Sequence, residues 1–129
     1  MASVTKQARV VDADAAWALI RDFGGATQAF PGMLADCTVE GNLRTVTFVT
    51  GNLVQERLVA IDEERRRIAY TVVGGRFTHH NASLAVTRGE DGSGTVTWIT
   101  DLLPDEGAAI VEPLMEAGLK AFACAVQPD

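Results

Sequence analysis

The sequence is short of cysteine, with Cys37 and Cys124 its only two. One possible pair makes no disulfide framework. The opening residues, MASVTKQARVV, contain no leader-like apolar core, so both cysteines are expected as reduced core thiols. Long apolar runs are also missing. None approaches the roughly 18–20 residues that a membrane span needs, and a cytoplasmic chain is expected. Positive charge is scarce: 11 Lys and Arg stand against 17 Asp and Glu, a net charge of -6. Nucleic acids and anionic membrane surfaces want clustered Lys and Arg, so neither is an expected partner. The one basic run, Arg65-Arg66-Arg67, adjoins Asp62-Glu63-Glu64 and reads as a solvated turn with paired charges.

Several catalytic signatures are missing as well. There is no GxSxG elbow and no Ser/His/Asp grouping. The glycines between Gly89 and Gly94 follow the wrong kind of element to cradle a phosphate. His79, His80, Glu56 and Cys37 lack the spacing of a metal site, which needs three or four suitable ligands. No metal and no cofactor is expected. Internal repeats and low-complexity segments are absent, and the length of 129 residues fits one domain over 1–129. A chain of that size buries roughly two thirds of its unfolded surface and can hold a core without staples.

What is present is organised around Leu53–Gly75, LVQERLVAIDEERRRIAYTVVGG. It reads as two strands, Leu53–Ile61 and Arg67–Val73, joined by the charged turn Asp62–Arg66 and stopped by Gly74-Gly75. Alternation puts Val54, Glu56, Leu58 and Ala60 on one face of the first strand. Ile68, Tyr70 and Val72 share a face of the second. Such a hairpin needs more sheet or a helix against its apolar side.

The remaining elements supply both. Ser3–Val11 is a strand. Asp14 or Asp12 can cap a short helix carrying Trp17 and Ile20, which Gly24-Gly25 ends. Ala26–Phe30 makes one more turn. Ala35–Glu40 and Leu43–Thr50 are strands, the second with Arg44, Val46 and Phe48 on one face. Arg44 sits at a strand start, where a solvated head is expected. Gly51-Asn52 is a hairpin turn. After the Arg76–Thr78 loop come strands His79–Thr87 and Thr95–Leu103, the latter with Val96, Trp98, Thr100 and Leu102 on one face. From Pro104 onward Ile110, Val111, Leu114, Met115, Gly118, Leu119, Phe122 and Val126 make a broad helical stripe. Pro113 either kinks this helix or lies in the first turn of one starting near Val111. Strands followed by a helix, without βαβ alternation, indicate an α+β fold with an antiparallel sheet. The sheet is expected to curve around the helix, and the space between them is a ligand cavity if apolar.

The Trp17 helix ending in Asp22-Phe23, the Phe30-Pro31-Gly32 break, Cys37-Thr38-Val39-Glu40-Gly41, Gln55-Glu56-Arg57-Leu58, the Asp62–Arg66 turn and the segment from Tyr70 to Gly75 together resemble the START-like, Bet v 1-like superfamily of polyketide cyclase and lipid-transport proteins. The resemblance implies a helix-grip fold: a curved seven-stranded antiparallel sheet wrapped around a long C-terminal helix, with two short helices after the first strand. The pattern is also similar to plant abscisic acid receptors. It departs from them at Ala35, where they carry a ligand-anchoring lysine, and in Thr50–Leu53 and Arg76–His79, which correspond to their gate and latch loops. Hormone binding is therefore not carried over.

The expected function is binding or transport of a small hydrophobic or amphipathic molecule between sheet and helix, by a monomer or homodimer. Its expected ligand-binding residues are Phe48, Glu56, Leu58, Tyr70, His80, Ala82, Trp98, Leu114 and Gly118. The alternative is a polyketide cyclase/aromatase- or isomerase-like enzyme, with Glu56 as acid/base and His80 or Tyr70 assisting. A carboxylate on an apolar inner face must be paired, hydrated or protonated, so Glu56 is a polar anchor or acid/base in the cavity, or binds a structural water or an Arg of a neighbouring strand, or faces solvent if the register differs. His79 and His80 point to opposite faces of their strand, with His80 inside.

Overall fold

A computed structural model describes residues 2–126. Met1 and residues 127–129 of the expected 1–129 domain lie outside them. The elements run β1 (Ala2–Val10), α1 (Ala13–Arg21), a single 3-10 turn, α2 (Ala26–Ala29), β2 (Leu34–Glu40), β3 (Leu43–Phe48), β4 (Leu53–Asp62), β5 (Arg67–Val73), β6 (His79–Arg88), β7 (Gly94–Leu103), a second 3-10 turn and α3 (Ala108–Val126). The strands form one antiparallel sheet in the order β1-β7-β6-β5-β4-β3-β2. Every chain-adjacent pair from β2 to β7 is also adjacent in space, and β1 closes on β7. This is the α+β arrangement that the strand and helix order predicts, and the helix-grip fold that the resemblance implies.

Local chemistry explains the element ends. Asp12 caps α1, its carboxylate accepting from the Ala15 N–H at 3.0 Å, which satisfies one of the helix's free donors. The buried side of α1 carries Ala13, Ala16, Trp17 and Ile20. The Trp17 indole N–H donates to Glu63 in the β4–β5 turn at 2.8 Å. Arg21 forks onto the same carboxylate through Nε and Nη2, at 2.8 and 2.6 Å. That pairing holds the Glu63 carboxyl below its usual range, chiefly through Arg21 and then Trp17. The charged turn is thus a clasp on α1 as well as a solvated loop.

Strict alternation fails at one place in β4. The pairing runs Glu56 to Val72 and Leu58 to Tyr70, then shifts so that Ala60 faces Ala69 and Ile61 faces Ile68. The extra residue is a β-bulge, and beyond it every side chain changes face. Ala60 therefore does not share the inner face with Glu56. A second irregularity lies between Leu34 and Asp36 on the edge strand β2.

Two other expectations change, and one of the two alternatives for Pro113 falls away. Cys124 is exposed and Cys37 only half-buried, both as free thiols, so neither is a core residue. Pro113 neither starts the last helix nor lies near its start: α3 begins at Ala108 and contains the proline. The missing N–H leaves the Ala109 carbonyl without its helical donor. Arg44, expected in solvent, is 7% exposed.

The core divides in two. The larger cluster joins Trp17, Ile20 and Phe23 to Tyr70, Leu84, Val86, Val96 and the C-terminal half of α3 through Leu119, Phe122 and Val126. A smaller one gathers Val4, Leu102, Val111 and Met115 under the N-terminal half. Trp98 packs against both, and the cavity opens beside it between sheet and helix.

Candidate functional site: a cavity between sheet and helix

The cavity has a volume of about 870 Å³. Its floor is the inner face of β3, β4, β5 and β7, represented by Val46, Phe48, Val54, Tyr70, Val72 and Trp98. One flank is the segment between α2 and β2, with Phe30, Met33 and Leu34; the roof is α3, with Val111, Leu114, Met115 and Gly118. The mouth lies between the β3–β4 turn, the β5–β6 loop and the first turns of α3, where Leu53, Val73, Ile110 and Leu114 are between 37% and 67% exposed.

Two glycines shape it. Gly51 has φ +99°, a left-handed conformation that lets the β3–β4 turn close tightly. At Gly118 a Cβ would stand 2.8 Å from the Trp98 ring. Its absence lets α3 rest directly on the indole. Trp98 continues into an aromatic row, with centroids 5.8 Å from Phe30 to Trp98 and 5.8 Å from Phe30 to Phe122. This row is the border between cavity and core.

The polar centre of the inner wall is an ion pair. Register places Arg44 on β3 directly opposite Glu56 on β4. The Arg44 Nε donates to Glu56 Oε1 at 2.7 Å, and both side chains are largely buried, at 8% and 13% exposure. Nη1 of Arg44 donates to the Phe23 carbonyl at 3.0 Å. The guanidinium also lies over the Phe23 ring at 4.1 Å and faces the Tyr70 ring at 5.3 Å. A buried charge is tolerated when it is paired and hydrogen-bonded in this way.

Burial acts on two groups of the lining. Burial pushes the Tyr70 hydroxyl well above its ordinary value, and the Glu56 carboxylate adds to this, while Arg44 opposes it. The Trp98 N–H also favours the phenolate by its proximity. It makes no hydrogen bond of ordinary geometry to any group, however, among the described residues; we take the two as neighbours rather than bonded partners. Tyr70 therefore stays protonated at neutral pH. His80 is half-buried, packs edge-on to Phe77 at 5.4 Å, and is lowered from 6.5 mainly by burial and then by His79. It is neutral at pH 7.

Seven of the nine residues expected at the site line this one cavity: Phe48, Glu56, Tyr70, His80, Trp98, Leu114 and Gly118. Leu58 and Ala82 do not. Leu58 packs against the larger core cluster and Ala82 is part of it, because the inner face closes onto α1 and α3 beyond Tyr70. Sequence reasoning missed Arg44, which it assigned to solvent. Counting back equally from the Gly51-Asn52 turn sets Arg44 against Val59; the observed register is centred on Thr50 and sets it against Glu56. Phe30 and Met33 were missed because they belong to no long element. No group of three or more His, Cys, Asp or Glu residues capable of holding a metal occurs among the described residues. Among them, too, no helix is long and apolar enough to cross a membrane.

Comparison with known proteins agrees with this architecture. The profile of a family described as polyketide cyclase/dehydrase and lipid transport matches residues 1–127. Among solved structures, one from Thermobifida fusca is 27% identical with a TM-score of 0.78, covering 95% of this chain and 91% of that one. A START superfamily protein from Mycobacterium smegmatis is 15% identical, with a TM-score of 0.80 and 96% of each chain covered. Norcoclaurine synthase from Thalictrum flavum, solved with dopamine and hydroxybenzaldehyde, is 23% identical with a TM-score of 0.74, covering 97% of this chain and 83% of that one. The last two likenesses are of fold. With residues 1–127 matched, the chain belongs to the polyketide cyclase/dehydrase and lipid transport family.

Proposed function

We propose that the protein binds a small hydrophobic or amphipathic molecule in the cavity between sheet and α3. The observation that carries this reading is a space of about 870 Å³ with mostly apolar walls beside a buried ion pair. Pockets of this size suit drug-sized molecules. Each 100 Å² of apolar ligand surface removed from water contributes about 2.5 kcal/mol, so apolar walls alone can supply affinity. Phe48, Tyr70, Trp98, Leu114 and Gly118 provide contact area in this reading; Glu56 and His80 provide polar contacts. A cytoplasmic monomer or homodimer is its assumed setting.

Acid/base catalysis by Glu56 is the second reading, with norcoclaurine synthase as an enzyme of the same fold. The geometry favours it less. A general base needs its carboxylate free to reach the substrate proton, and Glu56 is committed to Arg44 at 2.7 Å. We therefore assign Glu56 to the binding wall.

Native mass spectrometry of freshly purified protein tests the reading. The expected result is a co-purifying species of small-molecule mass that leaves on denaturation. A bare chain mass, combined with no binding of the neutral dye Nile red, would sink it.

A further inference from the structure

We propose that the cavity selects uncharged ligands and discriminates against both carboxylates and amines. This rests on the binding reading above and specifies its ligand class. The argument is one of charge balance. Among the described residues, Arg44, Glu56 and Arg76 are the charged groups lining the cavity. The first two neutralise each other at 2.7 Å, and the guanidinium also donates to the Phe23 carbonyl and lies over the Phe23 ring. A ligand carboxylate on the inner wall would meet Arg44 already paired and Glu56 as a like charge. A ligand ammonium would meet the mirror situation. Either ion would leave water for a wall with no unspent counter-charge, which is costly.

The other polar groups fit a neutral guest. Tyr70 and His80 are mostly uncharged at pH 7 at their ordinary values, and burial shifts each further that way, while Thr100, 1% exposed, adds a hydroxyl to the lining. Hydroxyl, phenol and imidazole exchange hydrogen bonds with alcohols, phenols and ketones. The start of α3 supplies no positive field of consequence, because Asp105 and Glu106 precede it. Arg76 is exposed on the β5–β6 loop at the mouth. There it sits in solvent, where a charge pair is worth little.

The test uses three probes of one shape at pH 7: 2-naphthol (neutral), 2-naphthoate (anionic) and 2-naphthylmethylammonium (cationic). Titration of isotope-labelled protein follows the Trp98 indole N–H and the Gly118 amide by NMR. Trp17, bonded to Glu63 away from the cavity, serves as internal reference. Naphthol is expected to shift both cavity signals with a Kd at least tenfold below that of either ion. Equal or tighter binding of either ion overturns the charge-balance inference and leaves the container reading standing. No shift from any probe at millimolar concentration overturns both. Glu56→Gln provides the second arm. It releases Arg44 from its counter-charge, so the affinity for naphthoate relative to that for naphthol should rise about tenfold. A variant that keeps the native Trp17 signal but shows no such rise sinks the proposal. If the variant does not fold, the wild-type ranking of the three probes decides alone.

Discussion

The two halves of α3 make opposite uses of the same helix. Leu119, Phe122 and Val126 in the C-terminal half are 7% exposed or less and share a core with α1, β5, β6 and β7. In the N-terminal half Val111 and Met115 are equally buried, but Ile110 and Leu114 are 42% and 49% exposed at the cavity mouth. One half is sealed on all apolar sides; the other is held by a narrow seam. The difference shows how a small domain combines stability with an opening. The closed end carries most of the burial, so the open end can leave its apolar walls unpacked. The Trp98–Phe30–Phe122 row is the boundary.

The comparison can be tested by loosening each side in turn. Phe122→Ala, at 1% exposure in the closed half, removes the largest packed side chain and leaves a void. A loss of about 3–5 kcal/mol is expected in denaturant unfolding. A loss below about 1.5 kcal/mol would mean that the closed end is not the stabilising one. Arg44→Met, on the cavity wall, strands Glu56 without its partner. Breaking a buried pair costs about 3–5 kcal/mol; water entering the cavity should reduce this to about 2–3 kcal/mol by solvating the carboxylate. Replacing both residues, Arg44→Met with Glu56→Leu, should cost less than Arg44→Met alone, and a double-mutant cycle checks that ordering.

His80 gives a smaller effect, visible in pH. Its native-state value is depressed below 6.5 by burial, so around that pH the unfolded chain binds protons more readily than the native one. Stability should therefore be full above the unfolded value and decline as pH falls through it. His80→Gln should flatten that limb of a stability–pH curve measured by urea unfolding; an unchanged slope would show that His80 does not titrate in this way. Leu114→Ala comes last. At half exposure on the open side, it should change stability by no more than about 0.5 kcal/mol, while weakening Nile red binding. A loss comparable to Phe122→Ala would erase the distinction between the halves.

Much of this arrangement was legible in the residues. Alternation and turn chemistry located seven strands, and the Val111-to-Val126 stripe located the helix. Asp12 or Asp14 was a visible cap, and Asp12 fills that place. Alternation also set Tyr70 and Trp98 inward. It failed where geometry departs from its period. The bulge after Leu58 sends Ala60 outward, and no residue type there announces an extra residue. The extent of the cavity was less legible, because whether an inward side chain meets void or core depends on elements distant in sequence. Ala82 and His80 share a strand face, yet one is core and the other lines the opening. The ion pair is the instructive case. Glu56 stood out alone, whereas Arg44 looked ordinary, and only their cross-strand register makes either intelligible.

The irregularity at the start of β2 acts on a different risk. As the last strand in the sheet order, β2 has a neighbour on one side only, and its free edge is a template on which another chain could pair. The register shift between Leu34 and Asp36 interrupts that template at one end, and Asp36 and Glu40 place exposed acids along it. A protein whose mouth already shows Leu53, Ile110 and Leu114 to water has little tolerance for a second adhesive surface. The bulge and the two acids keep the sheet edge from becoming one, so that the apolar mouth can stay open at working concentrations without seeding strand-to-strand assembly.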